Sequence, residues 1–580
     1  MKYFFIFCAL FGFLAQARAI DREAFTITNY DLTLQVEPEQ HRLGVRGRIT
    51  LRNDSSTPQK NAVLQISSSL NWLSIQSEKK PLQFVAQSYT SDIDHTGSLS
   101  EAIVSLPQAV PSRGTVDLDI GYEGVVPLDT TRLTRVGVPQ EQAKHTDWDQ
   151  ISSTFTAVRG IGHVAWYPVA TDSASLSEEN SVAQTISRWQ KRESDASLNL
   201  VVESTLALSI LSSATADLFL ITPPTGVVKV GVFSLSSLES CVPTFVMGNY
   251  QRSNSAQISP PNSIYYLSDH EAAANSLEKD IGGLGTLSLP VGKRGAGTEL
   301  QVIENPDPEA VPFSTERMLI MPFKNGSTAE SEMTLVYALA LQKIHTPHAW
   351  IREGLAHYAQ ALHLEQQKGR QSALDYLNAH NAPLIKVEKH ANADVGEGAE
   401  GAANKNSLIN SPDNIYLQSK SLDVFWMLHD MLGTSVNIPV ALLNYKYSED
   451  HSPDYFEKSL EKTTQRDLKW FFDDWVYNDR GLPDFRVDSV YISELPQHGY
   501  LITVTVENLG NAGAEVPIRA RMAQGDAVKR LIIQGKSKAS IRMEMPMLPQ
   551  EIIVNDGSVP ESNMNNNVYK VPSTAAQPAP

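Results

Sequence analysis

STAESEMTLVYALALQKIHTPHAWIREGLAHYAQALHLEQQKG, residues 327–369, is the stretch whose reading decides the fold. Met333, Val336, Tyr337, Ala340, Leu341 and Ile344 recur at helical spacing, which predicts one helix. Ser327 with Glu330 three residues on predicts its start as a capping box. Thr346-Pro347 predicts a break and a restart, with Thr as N-cap and Pro at the first helical position. The second helix carries Trp350, Leu355, Tyr358, Ala359 and Leu362 and is expected to end at Gly369. Inside it stands Glu353-Gly354. A helical Gly costs roughly 1 kcal/mol against Ala, so something other than helix propensity holds it there.

Around this pair the chain runs to 580 residues, too long for one core, so several domains are expected. Hydrophobic residues make up 42% and charged residues 19%, the proportions of a globular protein. A net charge of −17 argues against a nucleic-acid partner. Residues 1–19 read as a cleaved secretory signal: Lys2, an apolar run from Tyr3 to Leu14, and Ala17-Arg18-Ala19 as the cleavage site. The mature chain is then secreted or periplasmic, and no later segment is apolar enough to span a membrane. Of the two cysteines, Cys8 leaves with the signal, and Cys241 is expected to be a buried strand residue without a disulfide.

Residues 20–254 alternate with period two. Strands are predicted at Tyr30–Val36, Gly44–Leu51, Val63–Ile66, Ile103–Leu106, Val116–Tyr122, Leu198–Val202 and Phe245–Tyr250, a β-sandwich or saddle. Residues 255–485 are mostly helical, with strands at Leu300–Ile303 and Met318–Met321 before the opening helix pair. His390–Asp413 is rich in Ala, Gly and Asn and reads as a flexible surface loop. Residues 486–571 carry six short strands at even spacing, an immunoglobulin-like sandwich, and 572–580 is a disordered tail. The fold class is therefore multidomain α+β.

Several phrases stand in a familiar order. Tyr-Asp-Leu-Thr-Leu-Gln-Val-Glu-Pro from Tyr30 is followed by Gly-Val-Arg-Gly-Arg-Ile-Thr-Leu-Arg-Asn from Gly44. Gly121-Tyr122-Glu123-Gly124, Trp166-Tyr167-Pro168 and Val246-Met247-Gly248-Asn249-Tyr250 come next. Then come Trp350-x-x-Glu353-Gly354-x-Ala356, the run Gln465–Val476, Gly481–Phe485 and Ile553–Asp556. Together they resemble the zinc-dependent aminopeptidase N-type gluzincins. The resemblance implies a thermolysin-like domain between an N-terminal β-domain and a C-terminal sandwich. It also implies an H-E-x-x-H helix whose two His and a second-helix Glu hold zinc, with the first Glu as general base.

On this chain Glu353 takes the place of the third ligand. The H-E-x-x-H positions fall on Tyr337-Ala338-Leu339-Ala340-Leu341, after which a linker of eleven residues, shorter than the family's, leads to Glu353. Tyr337 and Leu341 replace the two His, and Ala338 replaces the base, a role worth roughly 10²–10⁴-fold in rate. Gln418 falls on the position of the family's transition-state-stabilising Tyr, with Tyr416 two residues away and Lys420 fixing the alignment. The family's Gly-x-Met-Glu-Asn motif for the substrate amine is absent, and Glu316 is the only nearby candidate.

Three readings follow. The first is an exported homologue without zinc or catalysis, keeping its cleft for a peptide or protein and Glu353-Gly354 as a remnant. The second is an active zinc peptidase with a non-standard site drawn from His345, His348, His357 and Glu353. The plainer reading of those histidines is a solvated or core set with a surface Glu353–His357 pair. The third is a structural adhesion or assembly module.

Overall fold

The computed structural model describes residues 20–89, 97–161, 164–170, 192–217, 225–239, 241–255, 262–284, 300–315, 317–324, 328–344, 346, 348–394, 407–411, 414–433, 437–446, 449–450, 452–496 and 499–572. The predicted signal, Glu316, His345, most of the 390–413 loop and all but the first residue of the tail lie outside the described residues.

The N-terminal part is built on an eight-stranded sheet. Its order is Thr215–Ala216, Lys229–Leu235, Ser197–Ser204, Phe25–Glu37, Arg42–Asn53, Thr115–Val125, Leu70–Ser77 and Lys80–Pro81. Phe25–Glu37 pairs antiparallel with Arg42–Asn53 and parallel with Ser197–Ser204. Period two sends Tyr30, Leu32, Leu34 and Val36 into one core, where Trp166 and Phe245 meet them. Two hydroxyls inside this core are satisfied: Tyr30 donates to Glu193 Oε2 at 2.6 Å and Tyr122 to the carbonyl of Trp166 at 2.8 Å. Cys241 is buried as expected but lies in the loop before the Phe245–Gly248 strand.

The expected strand Phe245–Tyr250 is two strands of different sheets. Phe245–Gly248 pairs with Phe155–Val158 and Ser209–Ser212. Tyr250–Ser255 begins the middle sheet by pairing with Asn262–Leu267. That five-stranded sheet continues through Leu300–Glu304 and Met318–Met321 to Phe313–Thr315. Its three central strands run parallel, and the short last strand is an antiparallel edge. Trp148, Phe155 and Val246 pack with Tyr250, Ile303 and Ile320 in a small core that joins the first part to the middle sheet.

Helices cover the sheet. The first of the opening pair is Ala329–Lys343, and its capping box is made by Thr328 with Ser331, one residue along from the predicted pair Ser327 and Glu330. Ser327 lies outside the described residues; Thr328 has the extended backbone of an N-cap, and its hydroxyl accepts from the Ser331 amide. The second helix is Ala349–Lys368; His348 rather than Thr346 is its N-cap, without a side-chain bond, and Gly369 ends it at φ 87°. A helix Arg370–His380 follows at once, then Ala382–Asp394, which makes the first five residues of the expected 390–413 loop helical. The long helix Asn414–Leu432 lies against Ala349–Lys368, and Phe425 stacks on Trp350 at 5.7 Å between ring centroids.

A three-stranded and a four-stranded sheet close the chain as a sandwich. One is Phe485–Glu494, Tyr500–Asn508 and Lys538–Met545; the other is Asp526–Ile533, Ala514–Arg521, Glu551–Val554 and Val568–Lys570. A single apolar core runs from Ile264 in the middle sheet through the helices to Val559 in the sandwich.

Candidate functional site

Glu353 sits on the inner face of the second helix and is 7% exposed. A buried carboxylate needs donors or a cation. Tyr337 Oη, from the first helix, donates to its Oε2 at 2.6 Å. Gln418 Nε2, from the second turn of Asn414–Leu432, donates to the same oxygen at 3.0 Å. Arg352 reaches Oε1 through Nε and Nη2, both at 3.3 Å. Burial pushes the Glu353 carboxyl up, but Arg352, the Tyr337 hydroxyl, His357 and Gln418 outweigh it and hold it below the usual carboxylate range. Burial beside that anion pushes the Tyr337 phenol well above its ordinary value, so it stays a donor.

Three of the positions singled out in the sequence thus meet: Tyr337, Glu353 and Gln418. Ala338 and Leu341 are in the apolar core, at 1% and 6% exposure. Tyr416 is elsewhere, donating to Asp479 Oδ2 at 2.6 Å beside the fully buried Lys420, which holds Asp479 Oδ1 at 2.7 Å.

The proposed histidine cluster does not assemble among the described residues. His348 Nε2 bonds Asp450 at 3.0 Å. His357 Nδ1 faces Gln360 Oε1 at 2.9 Å and Tyr376 Oη at 3.0 Å, while its Nε2 is buried with no partner among the described residues. Its ring lies 5.0 Å from that of Tyr337, and burial pushes its pKa down to about 4. The pair with Glu353 is therefore not the solvated surface pair that i, i+4 spacing suggests; the carboxylate is inside.

Zinc does not fit this arrangement. Both oxygens of Glu353 already accept hydrogen bonds, one of them from a guanidinium that occupies the cation's side of the carboxylate. Among the described residues no three His, Cys, Asp or Glu side chains are placed to share a metal ion.

Gly354 has a local cause. A Cβ there would meet Phe425 Cδ2 and Ser421 Cβ at 2.7 Å. The glycine lets the second helix approach Asn414–Leu432, a packing cause for a residue that helix propensity disfavours. Sequence reasoning missed Arg352, because neighbours one residue apart on a helix do not face each other. It also missed Tyr376 and Asp450, which partner His357 and His348 across sequence gaps that carry no motif.

The sequence matches no family profile and none of the curated proteins. Solved structures do match. Legionella pneumophila aminopeptidase A, in complex with aspartic acid, superposes with a TM-score of 0.58 at 13% identity over 93% of this chain. This chain spans 59% of the length of that protein. An M1 zinc metallopeptidase from Deinococcus radiodurans gives a TM-score of 0.48 at 14% identity, covering 78% of this chain and 94% of the other. No described helix is long and apolar enough to cross a membrane. The likeness is one of fold: this chain is a mixed α+β protein of several sheets and a helical layer, similar in fold to the part of the Legionella aminopeptidase on which it superposes.

Proposed function

We propose that this chain is an exported, non-hydrolysing counterpart of the aminopeptidases whose fold it shares, which binds a peptide or protein on the Glu353 side of its helical layer. The observation that carries this reading is the closed set around Glu353. Where a peptidase of this fold holds zinc with two His and a Glu, this chain has a Tyr337 hydroxyl, a Gln418 amide and an Arg352 guanidinium satisfying that Glu. Ala338 has no proton-transfer group, so nothing at the base position can activate a water. Zinc is no part of the proposal, and no cofactor is invoked.

Elemental analysis of the purified mature chain beside a hydrolysis assay on aminoacyl and peptide substrates tests it. The expected result is substoichiometric zinc and no turnover above buffer, unchanged on adding zinc. Stoichiometric zinc, with activity lost in Glu353→Ala, overturns the proposal.

A further inference from the structure

A second cleft lies away from the Glu353 cluster. The parallel strands Asn262–Leu267, Leu300–Glu304 and Met318–Met321 all point their carboxyl ends the same way. Loops leaving such ends open a crevice where ligands bind in sheet proteins. Here the crevice is about 630 Å³, closed on its far side by the helical turn Gln140–Thr146 of the N-terminal part. That is room for two or three amino-acid residues.

Asn305, the residue after the middle strand, lines it and is 2% exposed. Its Oδ1 accepts the Asp307 amide at 3.0 Å, which fixes the side chain's orientation. Its Nδ2 is buried with no partner among the described residues. A buried donor without an acceptor is rare in a folded chain and marks a place where something else supplies one. The rim determines what that acceptor is. Asp307, Glu309 and Glu141 surround the opening, and Glu309 is 73% exposed. Lys144 is taken up by Glu141, and His145 stands between Asp307 at 2.6 Å and Glu309 at 3.0 Å. An anionic acceptor is disfavoured at such a rim, in a chain of net charge −17. A neutral carbonyl with a cation nearby is favoured. Leu128, 44% exposed, adds an apolar wall.

We infer that this cleft binds a short stretch of peptide main chain carrying a basic side chain. A backbone carbonyl accepts from Asn305 Nδ2, the basic group meets Glu309 and Asp307, and an adjoining apolar side chain lies on Leu128. The site shares no residue with the Glu353 cluster and stands whether or not that cluster binds a peptide.

Calorimetric titration of the full mature chain with N-acetyl-Leu-Arg-Leu-amide tests it, with N-acetyl-Leu-Glu-Leu-amide as the comparison. The blocked ends leave only amide carbonyls and the central side chain to be recognised. Saturable binding is expected for the Arg peptide and at least about tenfold weaker binding for the Glu peptide. Glu309→Lys and Leu128→Asp, both on the surface, should each weaken the Arg peptide about tenfold. Asn305→Asp, which removes the donor, should abolish binding; it also buries a carboxylate, so its thermal midpoint is expected to fall, and circular dichroism at the titration temperature checks that the variant is folded. Three results overturn the inference: no saturable binding at millimolar Arg peptide; equal binding of the two peptides; or binding that survives Glu309→Lys and Leu128→Asp but is lost in Tyr337→Phe, which puts the peptide at the Glu353 cluster.

Discussion

Tyr337 is the residue on which the site turns. Its hydroxyl makes the shortest contact to the buried Glu353 carboxylate. Removing it in Tyr337→Phe leaves Glu353 with Gln418 and Arg352 alone. The expected loss is about 1–3 kcal/mol of stability at neutral pH, read as a shift in the urea midpoint. An unchanged midpoint would mean that water replaces the hydroxyl. Acid has a second effect at this site. The folded-state pKa values of His357 and Glu353 are both depressed. For each group the unfolded chain binds protons more readily, so its stabilising share is full above the unfolded pKa and fades as pH falls towards the folded one. For His357 that window runs from 6.5 down to about 4. For Glu353 it opens only below the ordinary carboxylate value, roughly 4.3. The difference in unfolding free energy between the parent chain and His357→Gln should therefore change across the upper window and be level above it, measured by urea unfolding at stepped pH. A difference level throughout would place the imidazole in water. At this scale the sequence was readable where register decides: counting back from Glu353 and along to Lys420 named Tyr337 and Gln418, and the fold brings both to one oxygen. Arg352 was not readable, since its bend onto its own neighbour depends on the packed surroundings and not on spacing.

Among the elements, the crossing of Ala349–Lys368 over Asn414–Leu432 fixes the site's geometry, because one helix carries Glu353 and the other Gln418. Gly354 sets how close they come. Gly354→Ala gains about 1 kcal/mol in helix propensity but drives a methyl to 2.7 Å from Phe425 and Ser421. Overpacking of this kind costs about 1–3 kcal/mol, and Phe425 is fully buried in a stack with Trp350, so it has little room to yield. The net expectation is a chain destabilised by up to about 2 kcal/mol, with a lengthened Gln418–Glu353 contact. Adding Phe425→Leu should return part of the loss, and a double-mutant cycle on thermal unfolding measures the coupling. Strict additivity would show that the ring is not what the methyl strikes. Most strands were legible because period two survives in a half-buried sheet, as in Tyr30, Leu32, Leu34 and Val36. Phe245–Tyr250 misled because a strand that leaves one sheet for another keeps its alternation across the switch. Helix starts slipped by one residue at Ser327-Thr328 and by two at Thr346, whose place as N-cap His348 takes.

The whole molecule is tied together more tightly at its C-terminal seam than a string of domains would be. The layout of β-rich, helical and β-rich parts could be read from periodicity, but the joint between the last two could not, since its residues are scattered through the chain. Two features of that joint bear on how its halves are coupled. One is the continuous apolar core that runs from the helices to Ile518, Val554 and Val559. The other is a charged network: Arg370 grips Asp430 at 2.9 and 2.6 Å and touches Asp556 at 3.3 Å, while Arg530 of the sandwich reaches Asp430 at 3.2 Å and Glu515 at 3.0 Å. Asp430→Ala separates their roles. It leaves two guanidinium groups facing each other without the carboxylate between them. Breaking a fully buried pair costs about 3–5 kcal/mol. Here Arg370 is 36% exposed and Arg530 26%, so water screens them and about 2 kcal/mol is expected. If the apolar core does the coupling, the variant still unfolds in one calorimetric transition at a lower midpoint. Apolar contact is indifferent to the lost charge, and nothing else in the seam has changed. A transition that splits, with the sandwich melting apart from the helices, would assign the coupling to the ion network instead.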